Sequence, residues 1–135
     1  MHWAIRDFQP KFKYHGTDIC VPITKLPKII RFCQDYFERL GACAPVMGHV
    51  GDGNLHCNIY YNPLQDANEF DHVKAAEELA LKAVQLGGTC TGEHGIGLGK
   101  KKLLESQFGL SGINAMKMIK TTFDPLNIMN PGKIL

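Results

Sequence analysis

The segment GHVGDGNLHCN, residues 48 to 58, constrains the fold more than any other stretch of the chain. Gly51, Asp52, Gly53 and Asn54 can do little except reverse the chain direction. On either side, APVMGHV (44 to 50) and LHCNIYY (55 to 61) alternate apolar with polar residues. That is the pattern of a hairpin with one face on a core. Leu55, Cys57 and Ile59 then point inward, while His56, Asn58 and Tyr60 point to the opposite face. A turn centred on Asp52 and Gly53 pairs Val50 with Leu55 and His49 with His56, setting two imidazoles directly opposite each other.

Other elements fall in place around this hairpin. DICVPI (18 to 23) reads as a strand, with Pro22 near its end. From Thr24, the residues Leu26, Ile29, Ile30, Cys33, Phe37 and Leu40 recur at helical spacing; Pro27 suits a first turn and Gly41 a stop. NPLQDANEF closes the hairpin, and Phe70, Val73, Ala76, Ala80, Ala83 and Val84 form a second helical stripe ending at Gly87 and Gly88. TCTGEHGIGLGK (89 to 100) begins like a short strand, but its four glycines make most of it loop. Lys100, Lys101 and Lys102 read as a solvated helix start. Ser111 is placed to cap a last helix through Ile113, Met116, Ile119 and Phe123, with Met116, Met118 and Ile119 as core packing, before DPLNIMNPGKIL ends in turns. Strand, helix, hairpin, helix and short strand predict an α+β fold. In it, a ferredoxin-like antiparallel sheet carries its helices on one face, followed by a C-terminal helical tail, in one domain spanning 1–135.

Composition narrows the function. Fifteen basic and thirteen acidic residues leave a formal charge of +2 with no basic stripe, so no nucleic-acid partner is expected. No apolar run reaches the ~18 residues of a membrane span, and a soluble protein is expected. Five widely spaced cysteines without a CxxC pair argue against a disulfide framework and a zinc finger; they read as small, reduced core residues. The first residues carry neither a secretory signal nor a transit-peptide composition. His2, His15 and His72 read as ordinary surface residues.

Opposed cross-strand residues have Cβ atoms ~4.5 to 5.5 Å apart, close enough for His49 and His56 to share a metal ion. Asn58 lies on the same face and could contact a ligand of that metal. In TGEHGIG (91 to 97), Glu93 and His94 stand in a loop otherwise cleared of bulk. Two histidines and a carboxylate are the ligand set of open catalytic sites, seen with zinc and with non-haem iron. Glu93 would complete the set and leave His94 nearby as a base. A polar surface pair and a solvated turn remain the plain alternatives. GIGLGKK is not a phosphate loop, and Gly95, Gly97 and Gly99 lack the spacing of a dinucleotide fingerprint.

Taken together and in order, TDICVP, GHVGDGNLHCN, GGTCTGEHGIGLGK and DPLNIMNPGKIL resemble the C-terminal part of FAD-linked 2-hydroxyacid dehydrogenases of the vanillyl-alcohol-oxidase type. The D-lactate dehydrogenase (cytochrome) branch is most similar and the D-2-hydroxyglutarate branch more distant. The resemblance implies a cap or substrate domain that closes over FAD, the flavin being held mainly by an N-terminal FAD-binding domain that this chain lacks. The chain then reads as a C-terminal fragment, inactive alone, of a mitochondrial enzyme whose electron acceptor is unspecified. By resemblance His49, His56 and Glu93 match divalent-metal ligands, with Zn²⁺ or Mn²⁺ preferred because the flavin carries the electrons. His94 matches the catalytic base, Asn58 a residue near metal and substrate, and Asn130 a flavin contact. The hydroxyglutarate branch resembles a pattern with lysine where Gly16 stands here, which favours a monocarboxylate such as D-lactate. A flavin-independent metal hydrolase and a metal-binding or interaction module without its own catalysis are the rival readings.

Overall fold

A computed structural model describes residues 11–64 and 70–135. Its sheet is built from β1 (Lys13–Gly16), β2 (Ile19–Cys20), β3 (Val46–Met47) and β4 (Asn54–Tyr61), all antiparallel. Three helices, α1 (Leu26–Arg39), α2 (His72–Gln85) and α3 (Lys101–Phe123), complete an α+β architecture. The expected closing segment NPLQDANEF falls partly outside the described residues.

The first strand begins earlier than the sequence pattern suggests, at Lys13, and ends at Cys20. Pro22 has no N–H to continue a ladder, and a 3₁₀ turn at Ile23–Lys25 leads into α1. β1 and β2 follow one register along β4, from Gly16↔Asn58 to Ile19↔Leu55. They are interrupted only at Thr17 and Asp18. Thr17 N–H donates to the Cys57 carbonyl at 2.9 Å, but Cys57 N–H donates to the Thr17 hydroxyl at 2.8 Å. The hydroxyl therefore stands in for the main-chain carbonyl, and the Thr17 carbonyl is released from the ladder.

The hairpin register corrects the expected one. Met47, not His49, lies opposite His56, and His49 N–H donates to the Asn54 carbonyl at 3.1 Å. The reason is the turn: Val50–Asp52 coil into a 3₁₀ turn closed by Gly53 at φ 73°, so the reversal begins one residue after His49. A Cβ on Gly53 would also run into the Val21 carbonyl. Because the slip is two residues, the strand period returns His49 to the face of His56.

Ile19, Leu55, Cys57 and Ile59 on the inner face pack with Ile29, Cys33 and Phe37 of α1 and Leu79, Ala80 and Ala83 of α2. Each fully buried large aliphatic side chain here contributes roughly 1.5–3 kcal/mol. Of the expected α2 stripe, Ala80 and Ala83 are buried and Phe70, Ala76 and Val84 pack against the core, whereas Val73 is exposed and the stripe gains Ala75 and Leu79. The Asp71 carboxylate accepts from the N–H groups of Val73 and Lys74, which starts the helix at His72 and sets its phase. Cys33, Cys57 and Cys90 are core residues and all five cysteines are free, but Cys43 is exposed, contrary to expectation. The expected fourth strand is reduced to a single bridge, Cys20↔Thr89.

The helix α3 is two helical segments meeting at a break at Gly109 (φ 67°, ψ 174°): the first starts at Lys101, where a helix start was expected, and the second starts within two residues of Ser111 and runs to Phe123. Leu103 and Leu104 are its buried residues. Of the expected core group, Met118 and Ile119 are 72% and 61% exposed and Met116 is only partly buried, so it is not core packing; Phe123 at the helix end is 82% exposed. Helical periodicity identifies an apolar face; it does not supply the layer that would cover it. No helix among the described residues is long and apolar enough to cross a membrane.

Candidate metal centre

His49, His56 and Glu93 come together from the hairpin and the glycine-rich loop, with one potential ligand atom from each lying within 4.8 Å of the others. Glu93 Oε1 is 3.1 Å from His56 Nε2, 3.7 Å from His49 Nε2 and 3.9 Å from His94 Nε2. Three donors at ~2.0 to 2.1 Å from one tetrahedral zinc ion would stand about 3.3 Å apart. The two distances to Glu93, 3.1 and 3.7 Å, bracket that value, and two imidazoles with a carboxylate are a donor set of the right chemistry for a divalent cation.

Its members are held unequally. The His56 side chain is 14% exposed, whereas those of His49, Glu93 and His94 are 60%, 52% and 56% exposed. His56 Nδ1 lies 3.1 Å from the released Thr17 carbonyl. A carbonyl only accepts, so Nδ1 donates to it; the Glu93 carboxylate also only accepts, so Nε2 donates to it when no ion stands between them and would turn its lone pair to a cation bound there, the orientation that an outer-shell partner gives a metal-binding imidazole. The His94 ring stacks on that of His56 at 5.2 Å.

Sequence reasoning overlooked Asp18, which is 1% exposed and sits under the loop. Its Oδ1 accepts from Asn54 Nδ2 at 2.8 Å, and its Oδ2 from the Thr91 hydroxyl and Gly92 N–H, each at 2.8 Å. Glu93 N–H donates to both oxygens, at 3.1 and 3.0 Å, and His94 N–H to Oδ2 at 2.9 Å. Three consecutive main-chain N–H groups thus form a concave cradle for one carboxylate. Burial alone would push the Asp18 carboxyl up, but the His94 N–H, the Thr91 hydroxyl and the Asn54 amide more than offset it and hold it well below the usual range. Asp18, His56 and His94 also offer clustered ligand atoms. That alternative is weaker, because the Asp18 oxygens are already saturated by donors and His56 Nδ1 faces Thr17.

Gly92 is where the cradle needs a missing side chain: a Cβ there would collide with Asn54 Nδ2 and stand 2.7 Å from Asp18 Oδ1. Lys100, expected to be solvated, is half-buried instead. Its Nζ donates to the Asp18 carbonyl at 2.8 Å and lies 3.6 Å from Oδ2. Burial lowers its pKa, opposed by the Asp18 charge. The one legible signal of this network was an acidic residue opening an otherwise apolar strand.

Asn58 is buried on the His56 face opposite Gly16, with its Oδ1 3.6 Å from where a Gly16 Cβ would stand. Asn130 belongs to the C-terminal tail. That tail is fastened to the glycine-rich loop by Ile134 N–H to the Gly97 carbonyl at 2.7 Å and by Lys101 Nζ to the carbonyls of Gly132 and Leu135. His15 and His72 are not plain surface residues: their rings meet edge to face at 5.4 Å, and His72 stacks on Tyr61 at 3.8 Å. His2 lies outside the described residues. A cavity of about 410 Å³ opens beside His94, between Thr17, Val73, Ile96, Leu98 and Lys100.

The model of the family described as "FAD linked oxidases, C-terminal domain" matches residues 2–134. The chain belongs to this family. Among curated proteins it is 46% identical over 134 residues to "Probable D-lactate dehydrogenase, mitochondrial" of Danio rerio, an overlap of 98% of this chain and 27% of that protein. It is 36% identical over 133 residues to "D-lactate dehydrogenase [cytochrome], mitochondrial" of Arabidopsis thaliana, covering 98% of this chain and 24% of the relative. A "D-2-hydroxyglutarate dehydrogenase" of Stutzerimonas stutzeri is 34% identical over 143 residues, covering 98% and 30%. The chain therefore spans roughly a quarter of the length of these relatives. The family expected from the four motifs is borne out.

Proposed function

We propose that this chain is the substrate-side domain of an FAD-dependent D-2-hydroxyacid dehydrogenase acting on a D-lactate-like monocarboxylate, with His49, His56 and Glu93 holding a divalent ion, Zn²⁺ or Mn²⁺. The observation that carries the reading is the convergence of both imidazole Nε2 atoms on Glu93 Oε1, with the His56 ring oriented by the contact of its Nδ1 with the Thr17 carbonyl. Support for the reaction class comes from the family and from the names of the relatives in zebrafish and Arabidopsis. FAD, held mainly by a separate FAD-binding domain of the same protein, supplies the two-electron acceptor when bound. A divalent ion held by His49, His56 and Glu93 would supply Lewis-acid polarisation of a 2-hydroxy acid.

The residues of this chain supply the rest. His94 Nε2, the nitrogen facing Glu93, takes the hydroxyl proton as the Cα hydrogen leaves with its electron pair for that acceptor; the products are a 2-oxo acid, a protonated His94 and the two-electron-reduced acceptor. Imidazole is the side chain whose ordinary titration lies nearest neutral pH, which suits the base role. The stacked His56 ring and the main-chain bond to Asp18 fix where His94 starts from the loop. Asn58 is positioned for the substrate and Asn130 for the flavin by resemblance. The cavity beside His94 has room for a small side chain. Its cation, Lys100, is already engaged by Asp18, which disfavours a second substrate carboxylate and with it the hydroxyglutarate reading. The names of these relatives favour a mitochondrial setting.

The test is turnover of D-lactate and D-2-hydroxyglutarate by the full-length protein with an artificial electron acceptor, before and after chelation. D-lactate oxidation that chelation abolishes, that Zn²⁺ or Mn²⁺ restores and that His94→Asn removes is expected. Activity indifferent to chelation contradicts the metal role, and preference for D-2-hydroxyglutarate contradicts the substrate assignment.

A further inference from the structure

Two segments that provide the ligands, residues 49–56 and 91–94, are joined in space by a dipeptide that belongs to neither. Thr17 gives its carbonyl to His56 Nδ1, and Asp18 gives its carboxylate to the N–H groups of Gly92, Glu93 and His94. Both are available because the ladder is broken at this point, where the Thr17 hydroxyl replaces its own carbonyl as the acceptor for Cys57. The adjoining side chains Asn54 and Thr91, from the hairpin and the loop, close on the same carboxylate.

We propose that Asp18 is the positioning residue of the metal centre: it sets the distance and direction of Glu93 and His94 relative to His56 without itself binding the ion. This rests on the metal reading above. A carboxylate is the side chain this cradle requires, since three converging main-chain donors and a hydroxyl need acceptors on both oxygens and tolerate no donor. Asparagine, nearly the same size, would turn an N–H₂ group toward at least one of those donors. Glu93, half-exposed and able to rotate, depends on its main chain for its starting point. Losing the cradle therefore alters how the ligands converge; because Ile19 and Cys90 beside it belong to the core, the folding of each variant is read in the same samples.

The experiment compares the wild-type chain with Asp18→Asn and Thr91→Val in Zn²⁺ affinity, measured by competition with a chromophoric chelator, and in the visible spectrum of bound Co²⁺. Circular dichroism checks that each is folded. At least tenfold weaker Zn²⁺ binding and an altered Co²⁺ spectrum are expected for Asp18→Asn, and a smaller weakening, about threefold, for Thr91→Val. A residue that only stabilised the fold would lower the melting temperature while leaving affinity and spectrum of the folded chain unchanged, which overturns the proposal. If Asp18→Asn does not fold, Thr91→Val decides: unchanged affinity overturns the proposal and weakened affinity supports it. A wild-type chain that binds neither Zn²⁺ nor Co²⁺ overturns the metal reading itself, and is distinguished from wild-type binding that both variants match.

Discussion

The Thr17 carbonyl lies 3.1 Å from His56 Nδ1 because the Thr17 hydroxyl has taken its place opposite Cys57 N–H. One threonine thus connects the sheet ladder to the orientation of a candidate ligand. Replacing it with valine keeps the shape and removes the hydroxyl. Cys57 N–H, buried, must then go unpaired or reclaim the carbonyl and release His56. Thr17→Val is expected to cost about 1–3 kcal/mol in urea unfolding and to weaken Zn²⁺ binding in the same protein. Unchanged values for both would show that the hydroxyl is not essential to the ladder.

Gly92 has no room for a methyl group between Asn54 and Asp18, whereas a Cβ at Gly99 meets nothing within 4 Å and requires no unusual backbone. Gly92→Ala should destabilise the chain by about 1–3 kcal/mol through overpacking. Gly99→Ala should be close to neutral. Equal denaturation midpoints for the two variants would contradict the cradle geometry.

His15 has its pKa lowered, first by burial and then by the neighbouring His72 and Lys100. Its folded pKa lies below the unfolded value near 6.5, so the unfolded chain takes up the proton first as pH falls. The stability that neutral His15 contributes is complete above about pH 6.5 and declines as pH drops through the folded value. Thermal melts from about pH 7.5 down to about pH 5 should show this decline, and His15→Gln should reduce it. A slope identical in both proteins would assign the pH dependence to other groups.

Exposed apolar residues on α3 make the opposite prediction from the core. Ile119→Ser and Phe123→Ser should change stability by within about 0.5 kcal/mol, because neither side chain is covered by the described residues. Leu79→Ala, fully buried between α2 and the sheet, should cost roughly 2–5 kcal/mol. Urea titration of the three variants separates the two surfaces.

The features readable in the sequence were those carried by local patterns. Strand alternation placed His49 and His56 on one face, and a loop stripped to glycines left Glu93 and His94 conspicuous. The register was misjudged by two residues because Val50, an apolar strand former, entered the 3₁₀ turn under the pull of Gly53 and its contact with Val21. Asp18 was missed for a different reason. Its partners lie up to 76 positions away, and nothing in TDICV distinguishes a cradled carboxylate from a solvated strand start. Lys100 was misread with it, since its burial depends on that same carboxylate. On α3, apolar spacing was correctly seen and wrongly assigned to the core of this chain.

The central claim, that His49, His56 and Glu93 hold a divalent ion, is tested most directly by the metal content of the purified chain. Inductively coupled plasma mass spectrometry would be applied to wild type, His49→Ala, His56→Ala and Glu93→Ala after incubation with Zn²⁺ or Mn²⁺ and removal of free metal. Near-stoichiometric metal in the wild type is predicted, with the largest loss in His56→Ala, whose imidazole is the least exposed of the three ligands and is held by the main chain. Absence of metal from the folded wild type, or equal content in all four proteins, would contradict the account.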